Sequence, residues 1–137
     1  MNYHLLMLEN HMLFTKKFFE RIKNLQLSFG QPKILEYLLN NEGCMQKYIA
    51  LACFIEPASV TSVFIKMEKD GLIFKKNLNG NRRSYYVYLT DIGKEKAKEI
   101  QHHFKEMEEE VFKGLSEKEI MELYTLLGKV NKNLWNM

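Results

Sequence analysis

The chain has 137 residues, 46% of them hydrophobic and 27% charged, with a formal net charge of +3. This suits one domain with a single core of moderate size, and the balance is that of an ordinary soluble globular protein. No apolar run reaches the roughly 18 residues that a membrane span needs, and Glu9, Asn10 and His11 interrupt the apolar stretch that a secretory signal would keep continuous. With only two cysteines, Cys44 and Cys53, a disulfide framework is not expected, and the reducing cytoplasm is the expected location.

Along residues 3–25, Leu5, Leu8, Met12, Phe19, Ile22 and Leu25 recur three, four or seven apart, one stripe of an amphipathic helix. Leu6 and Leu13 add a second strip, so this helix is expected to bury two faces. Ser28 followed by Gln31 is a capping-box pattern for a second helix, and Pro32 falls early enough in it to be tolerated. That helix should run to about Asn41, with Gly43 as the left-handed cap past its end. A short helix spans about Gln46 to Cys53, and a fourth begins at Pro57 and ends at Gly71.

From Leu72 the period changes. Leu72–Asn77 can extend, residues 77–81 (Asn-Leu-Asn-Gly-Asn) cluster turn formers, and Arg83–Thr90 alternates, with Tyr85, Val87 and Leu89 on one side and Ser84, Tyr86 and Tyr88 on the other. Two short β-prone runs around a polar, glycine-containing turn predict a β-hairpin. Thr90 can cap the next helix, where Ala97, Ile100, Phe104, Met107 and Val111 repeat at three and four, and Gly114 ends it. Ser116 and Glu119 form another capping box, opening a last helix striped by Ile120, Leu123, Leu127, Val130 and Leu134. The predicted fold is mainly α with a small β-hairpin wing, without internal repeat or interdomain linker.

Charge is unevenly spread. Between Pro57 and Thr90 six basic residues stand against two acids, whereas from Lys94 to Thr125 six lysines face nine glutamates. A surface that meets phosphate concentrates positive charge in this way. The two short helices separated by Phe54-Ile55-Glu56 have the spacing of a helix-turn-helix. In the second, Val60, Val63, Phe64 and Met67 lie on an inward face, opposite Ser59, Ser62, Lys66 and Lys69. Hydroxyls can bond base edges or phosphates and lysines phosphates, although any solvated amphipathic helix would show a similar face. The hairpin that follows carries Asn81, Arg82 and Arg83 at its tip, and arginine on a narrow projecting loop suits the negative minor groove of AT-rich DNA. A charged edge that blocks aggregation would explain the hairpin alone, but not its place directly after a helix-turn-helix.

These residues resemble the MarR family of bacterial winged helix-turn-helix regulators, in element order over roughly the whole chain and most closely from Gln46 to Gly93. Gln46-Lys47-Tyr48-Ile49-Ala50 is similar to the family's first motif helix, and Pro57-Ala58-Ser59-Val60-Thr61 to the start of its recognition helix. Residues 66–73, Lys-Met-Glu-Lys-Asp-Gly-Leu-Ile, resemble the helix end running into the wing; Arg82, Arg83, Val87, Leu89, Thr90 and Gly93 match the return strand and the next helix start. The family's wing carries an Asp before its two arginines, where this chain has Asn81. The resemblance implies a sequence-specific double-stranded DNA-binding regulator, a ligand-responsive repressor acting as a homodimer on a pseudo-palindrome. It divides the single domain 1–137 into a winged helix-turn-helix DNA-binding lobe, 28–92, and a helical dimerisation region, 1–27 and 93–137. On this basis the expected DNA-binding residues are Gln46, Ser59, Thr61, Ser62, Lys66, Lys69, Lys75, Lys76, Asn81, Arg82 and Arg83. The dimer residues are Leu5, Leu8, Met12, Ile120, Leu123, Leu127, Val130 and Leu134. The competing reading is a winged-helix protein-interaction module that occludes or partners another regulator.

An enzyme is not expected, since no glycine-rich phosphate loop, metalloprotease motif or nucleophile elbow occurs. Nor is a cofactor or a metal: His102 and His103 are adjacent on a helix and point about 100° apart, poor for sharing one ion, although Glu99 or Glu106 could join one of them, and a surface histidine is usually only that. Cys44 is expected in a glycine-bounded loop and Cys53 near a helix end, both as reduced thiols. Phe14, Phe18, Phe19, Tyr37 and Tyr48 could line a pocket for a small-molecule effector, phenolic or otherwise amphipathic, as the family resemblance implies, though aromatics at helical spacing also serve as plain core.

Overall fold

The computed structural model describes residues 1–77, 80 and 85–137. Six α-helices and a three-stranded sheet run in the order α1 (Tyr3–Arg21), α2 (Gln31–Asn40), β1 (Cys44–Met45), α3 (Gln46–Ala52), α4 (Val60–Lys69), β2 (Ile73–Lys76), β3 (Tyr86–Leu89), α5 (Asp91–Val111) and α6 (Glu117–Trp135) among the described residues. The chain divides into two compact units, Met1–Phe104 and Lys105–Met137.

In the first unit the helix breaks follow from local chemistry. α1 stops at Arg21, and a 3₁₀ turn at Lys23–Leu25 completes the stretch expected as one helix, closed by Gln26 in the left-handed region. Its apolar residues divide: Phe18, Ile22 and Leu25 are buried, while Leu5, Leu8, Met12, Leu6 and Leu13 stay exposed. The Ser28–Gln31 box forms only by half. The Gln31 side chain accepts from the Ser28 N–H at 2.9 Å, but the backbone turns at Gly30 (φ +93°), which takes the cap position, so α2 starts later than the box implied. Gly43 is likewise not the cap of α2, which closes at Asn41. Its φ of +82° instead turns the chain into β1, where its N–H donates to the Val87 carbonyl at 2.9 Å.

β1 itself is a correction, because Cys44 lies in a strand and not a loop. It pairs antiparallel with β3 through Cys44–Val87 and Met45–Tyr86, and β3 also pairs with β2 from Ile73–Leu89 to Lys76–Tyr86, giving the order β1-β3-β2. Two residues are too few to show an alternation in sequence. Within β3 the expected alternation holds, with Val87 and Leu89 buried, whereas Tyr85, expected on their side, is exposed just before the strand. The core joins Ile73, Val87 and Leu89 of the sheet to Ile34, Leu35 and Leu38 of α2, Ile49 of α3, Phe64 and Met67 of α4, and Ala97 and Ile100 of α5, all buried. Glu42 ties the sheet from outside the strands, accepting from the Leu89 N–H at 2.8 Å and lying 3.9 Å from Lys94.

The junction between β3 and α5 is backbone against backbone. Thr90 caps α5 as expected, its hydroxyl accepting from the Gly93 N–H at 3.0 Å while donating to the Gly71 carbonyl. Gly93 lies so close to the chain leaving α4 that a Cβ there would fall 2.0 Å from the Leu72 carbonyl oxygen. Only glycine fits.

The second unit holds the end of α5, a turn with Gly114 at φ +87°, and α6. Both halves of the Ser116–Glu119 capping box form, at 3.0 and 3.1 Å. The Phe112 and Tyr124 rings meet edge-on at 5.8 Å. None of α6's residues is buried.

Candidate nucleic-acid interface

α3 and α4 are joined by a tight turn whose hinge is Phe54, at φ +55°. Its N–H bonds the Leu51 carbonyl and the Ile55 N–H bonds the Ala50 carbonyl, which folds the chain back between the helices. Pro57 opens a 3₁₀ turn, Pro57–Ser59, that leads into α4. Proline fits a first turn because it lacks only an N–H that has no intrahelical partner there. α4 is then pinned from one side: Phe64 and Met67 are buried and Val60 and Val63 half-buried. Ser59, Thr61, Ser62, Lys66 and Lys69 are consequently exposed together. The Ser62 hydroxyl donates to the Ser59 carbonyl at 3.1 Å, so it starts from a satisfied bond to its own backbone.

Lys66 is also engaged. Its ammonium lies 2.8 Å from the Asp70 carboxylate, one turn on, and that hydrogen bond holds the Asp70 carboxyl below its ordinary value. Gln46 is half-buried at the start of α3, where it lines a small cavity with Met45, Lys47 and Tyr85. On the wing, Lys75 is half-buried and Lys76 exposed, the latter with its ammonium 5.0 Å from the Tyr88 ring and 5.6 Å from the Phe74 ring. A lysine held over two aromatic faces presents its charge at a defined place. Asn81, Arg82 and Arg83 lie outside the described residues.

Sequence reasoning missed Ile65, which stands 55% exposed among the polar residues of α4. Its exposure is what the helical period gives once Phe64 and Met67 are fixed inward. It also missed part of an aromatic cleft of about 320 Å³. Phe14, Phe18 and Phe19 line it as expected, but their companions are Phe29, Phe104, His11 and Lys33. The Phe18 and Phe104 rings stack at 4.0 Å. Tyr37 lines a different cavity, beside Cys53, and Tyr48 is exposed with the Lys47 ammonium 5.0 Å from its ring. The Cys53 thiol is buried and its pKa pushed up to about 11, first by burial.

No family model matches the chain. Among curated proteins it is 32% identical over 88 residues to the HTH-type transcriptional regulator PecS of Dickeya dadantii, a match that covers 64% of this chain and 53% of PecS. It is 23% identical over 124 residues to the HTH-type transcriptional repressor IacR of Pseudomonas putida, covering 90% of this chain and 74% of IacR. The chain thus spans about half the length of the first of these relatives. In structure it matches the transcriptional regulator SlyA with a TM-score of 0.83 at 24% identity, over 94% of this chain and 93% of that one. It matches the S. aureus MepR–DNA complex at 0.88 and 23%, over 98% and 99%. The fold is that of the MarR-type winged-helix regulators. These relatives and neighbours are transcriptional regulators, not enzymes. Among the described residues no helix is long and apolar enough to cross a membrane.

Proposed function

We propose that the chain is a sequence-specific, double-stranded DNA-binding repressor that acts as a cytoplasmic homodimer on a pseudo-palindromic operator. The observation that carries this reading is α4: a helix pinned by Phe64 and Met67 whose outer face offers Ser59, Thr61, Ser62 and Lys66 together. A helix so mounted can enter the major groove, with hydroxyls toward base edges and lysines toward phosphates. Lys66 then exchanges Asp70 for phosphate. In this reading Lys69, Lys75, Lys76 and Gln46 also contact DNA, as do Asn81, Arg82 and Arg83, which lie outside the described residues, and Arg83→Ala weakens binding to every duplex and most on AT-rich flanks. In this reading residues 28–92 form the DNA-binding lobe.

The dimer is supported by the apolar side chains left uncovered in one copy: Leu5, Leu8 and Met12 on α1, and Leu127 and Leu134 on α6 with Ile120, Leu123 and Val130 half-exposed beside them. A partner copy that covers them assigns residues 1–27 and 93–137 to dimerisation. The aromatic cleft has a volume suited to a small amphipathic effector. Selection from a pool of random duplexes, followed by sequencing of what is retained, tests the whole. A palindrome with half-sites about one helical turn apart is the expected result. Retention of no duplex, with tight capture of another regulator instead, replaces this reading with the interaction module.

A further inference from the structure

Two strips of different chemistry run side by side along the exposed face of α4 and the turn before it. Ser59, Ser62, Lys66 and Lys69 follow one another at three, four and three, and form the polar strip. Ala58, Thr61 and Ile65, at three and four, form the other, and all three are exposed. What they share is methyl groups. Ile65 stands 55% exposed between a threonine and a lysine-bearing strip, outside the core that Phe64 and Met67 build on the other side of the helix. An isolated exposed apolar residue has no meaning by its presence alone. Here it has company at helical spacing and is continuous with the basic strip.

We propose that Ala58, Thr61 and Ile65 read the 5-methyl groups of thymine in the major groove, with Ile65 as the main contact. The inference rests on the DNA-binding reading of α4 and adds the base that this strip selects. The thymine methyl is the one apolar group on the major-groove edge of the base pairs, and apolar side chains are its natural complement. The adjacent lysine strip, meeting phosphate, would hold the methyl strip at base depth.

The test uses the duplex retained from the random pool, with each thymine of the half-site replaced in turn by deoxyuridine, which lacks only the methyl. One buried methyl corresponds to about a fourfold change in affinity. At one or two thymines per half-site the replacement therefore weakens the natural chain by about fourfold. Ile65→Ala loses that discrimination, binding both duplexes alike, and Ile65→Val keeps most of it. Because Ile65 lies outside the core, thermal unfolding of both variants stays close to that of the parent. If deoxyuridine costs nothing at every position, or costs the same in Ile65→Ala, the inference is wrong while the DNA-binding reading stands. If no duplex is retained at all, both fall.

Discussion

α4 and α6 are amphipathic to a similar degree in sequence, yet their apolar stripes meet opposite fates. Phe64 and Met67 of α4 disappear into a core shared with Ile34, Leu38, Ile49 and Val87. On α6, Leu127 and Leu134 remain 40% and 56% exposed and Met121 and Trp135 more so, although the capping box at its start is complete. A stripe with the period of a helix states only that one face avoids water. What covers that face depends on tertiary partners, within the same copy for α4 and, in the reading proposed above, in a second copy for α6.

The contrast breaks most forcefully at Phe64. Phe64→Ala removes a ring with no solvent contact and should cost about 3–5 kcal/mol in denaturant unfolding. Glutamate at both Leu127 and Val130 should instead act on assembly, shifting the sedimenting species from dimer to monomer. A double variant that remains a stable dimer places the interface elsewhere. Between these lies Gly93→Ala, where backbone must yield to backbone; a loss of about 1–3 kcal/mol is expected, and unchanged stability would contradict the close approach to Leu72. Cys53 sharpens the comparison chemically. Its raised pKa means that stability is fully present below about 9 and declines as pH rises toward about 11. Native chain at neutral pH should therefore label with a thiol reagent at Cys53 far more slowly than unfolded chain does.

The smallest effects belong to the surface of α4. Lys66→Ala should leave the melting temperature nearly unmoved, since its ion pair with Asp70 is exposed, but should reduce the salt dependence of DNA binding by about one unit of slope. Asp70→Asn should act oppositely, strengthening binding by freeing Lys66 and removing an acid beside phosphate. With its carboxyl held below the ordinary aspartate value, the pair persists to more acid pH than a free aspartate would allow and is lost as pH falls further.

Much of this was legible in residue spacing. The inward face of α4, the alternation of β3, the Thr90 cap and the second capping box all follow from rules that act within a few residues. The failures occurred where a competing local bond or a distant partner decided. Gly30 captured the cap that Ser28 advertised, because Gln31 is held by the Ser28 backbone as well as by its own side-chain bond. β1 exists only because Val87 and Tyr86 lie beside it. Phe104 reads as one more member of a stripe until α1 brings Phe18 against it. At the site, spacing found the polar strip and passed over Ile65, since an apolar residue is assigned to the core by default.

The seam of Gly71, Leu72, Thr90 and Gly93 also has a mechanical meaning. Its closest approach is backbone to backbone, at Gly93 against Leu72, and its hydrogen bonds run from both ends of the Thr90 hydroxyl. The first turn of α5 and the strands of the wing therefore behave as one stiff lever. On this geometry a tilt of that turn would carry β2 and β3 with it, which sets the direction of the two strands at their root.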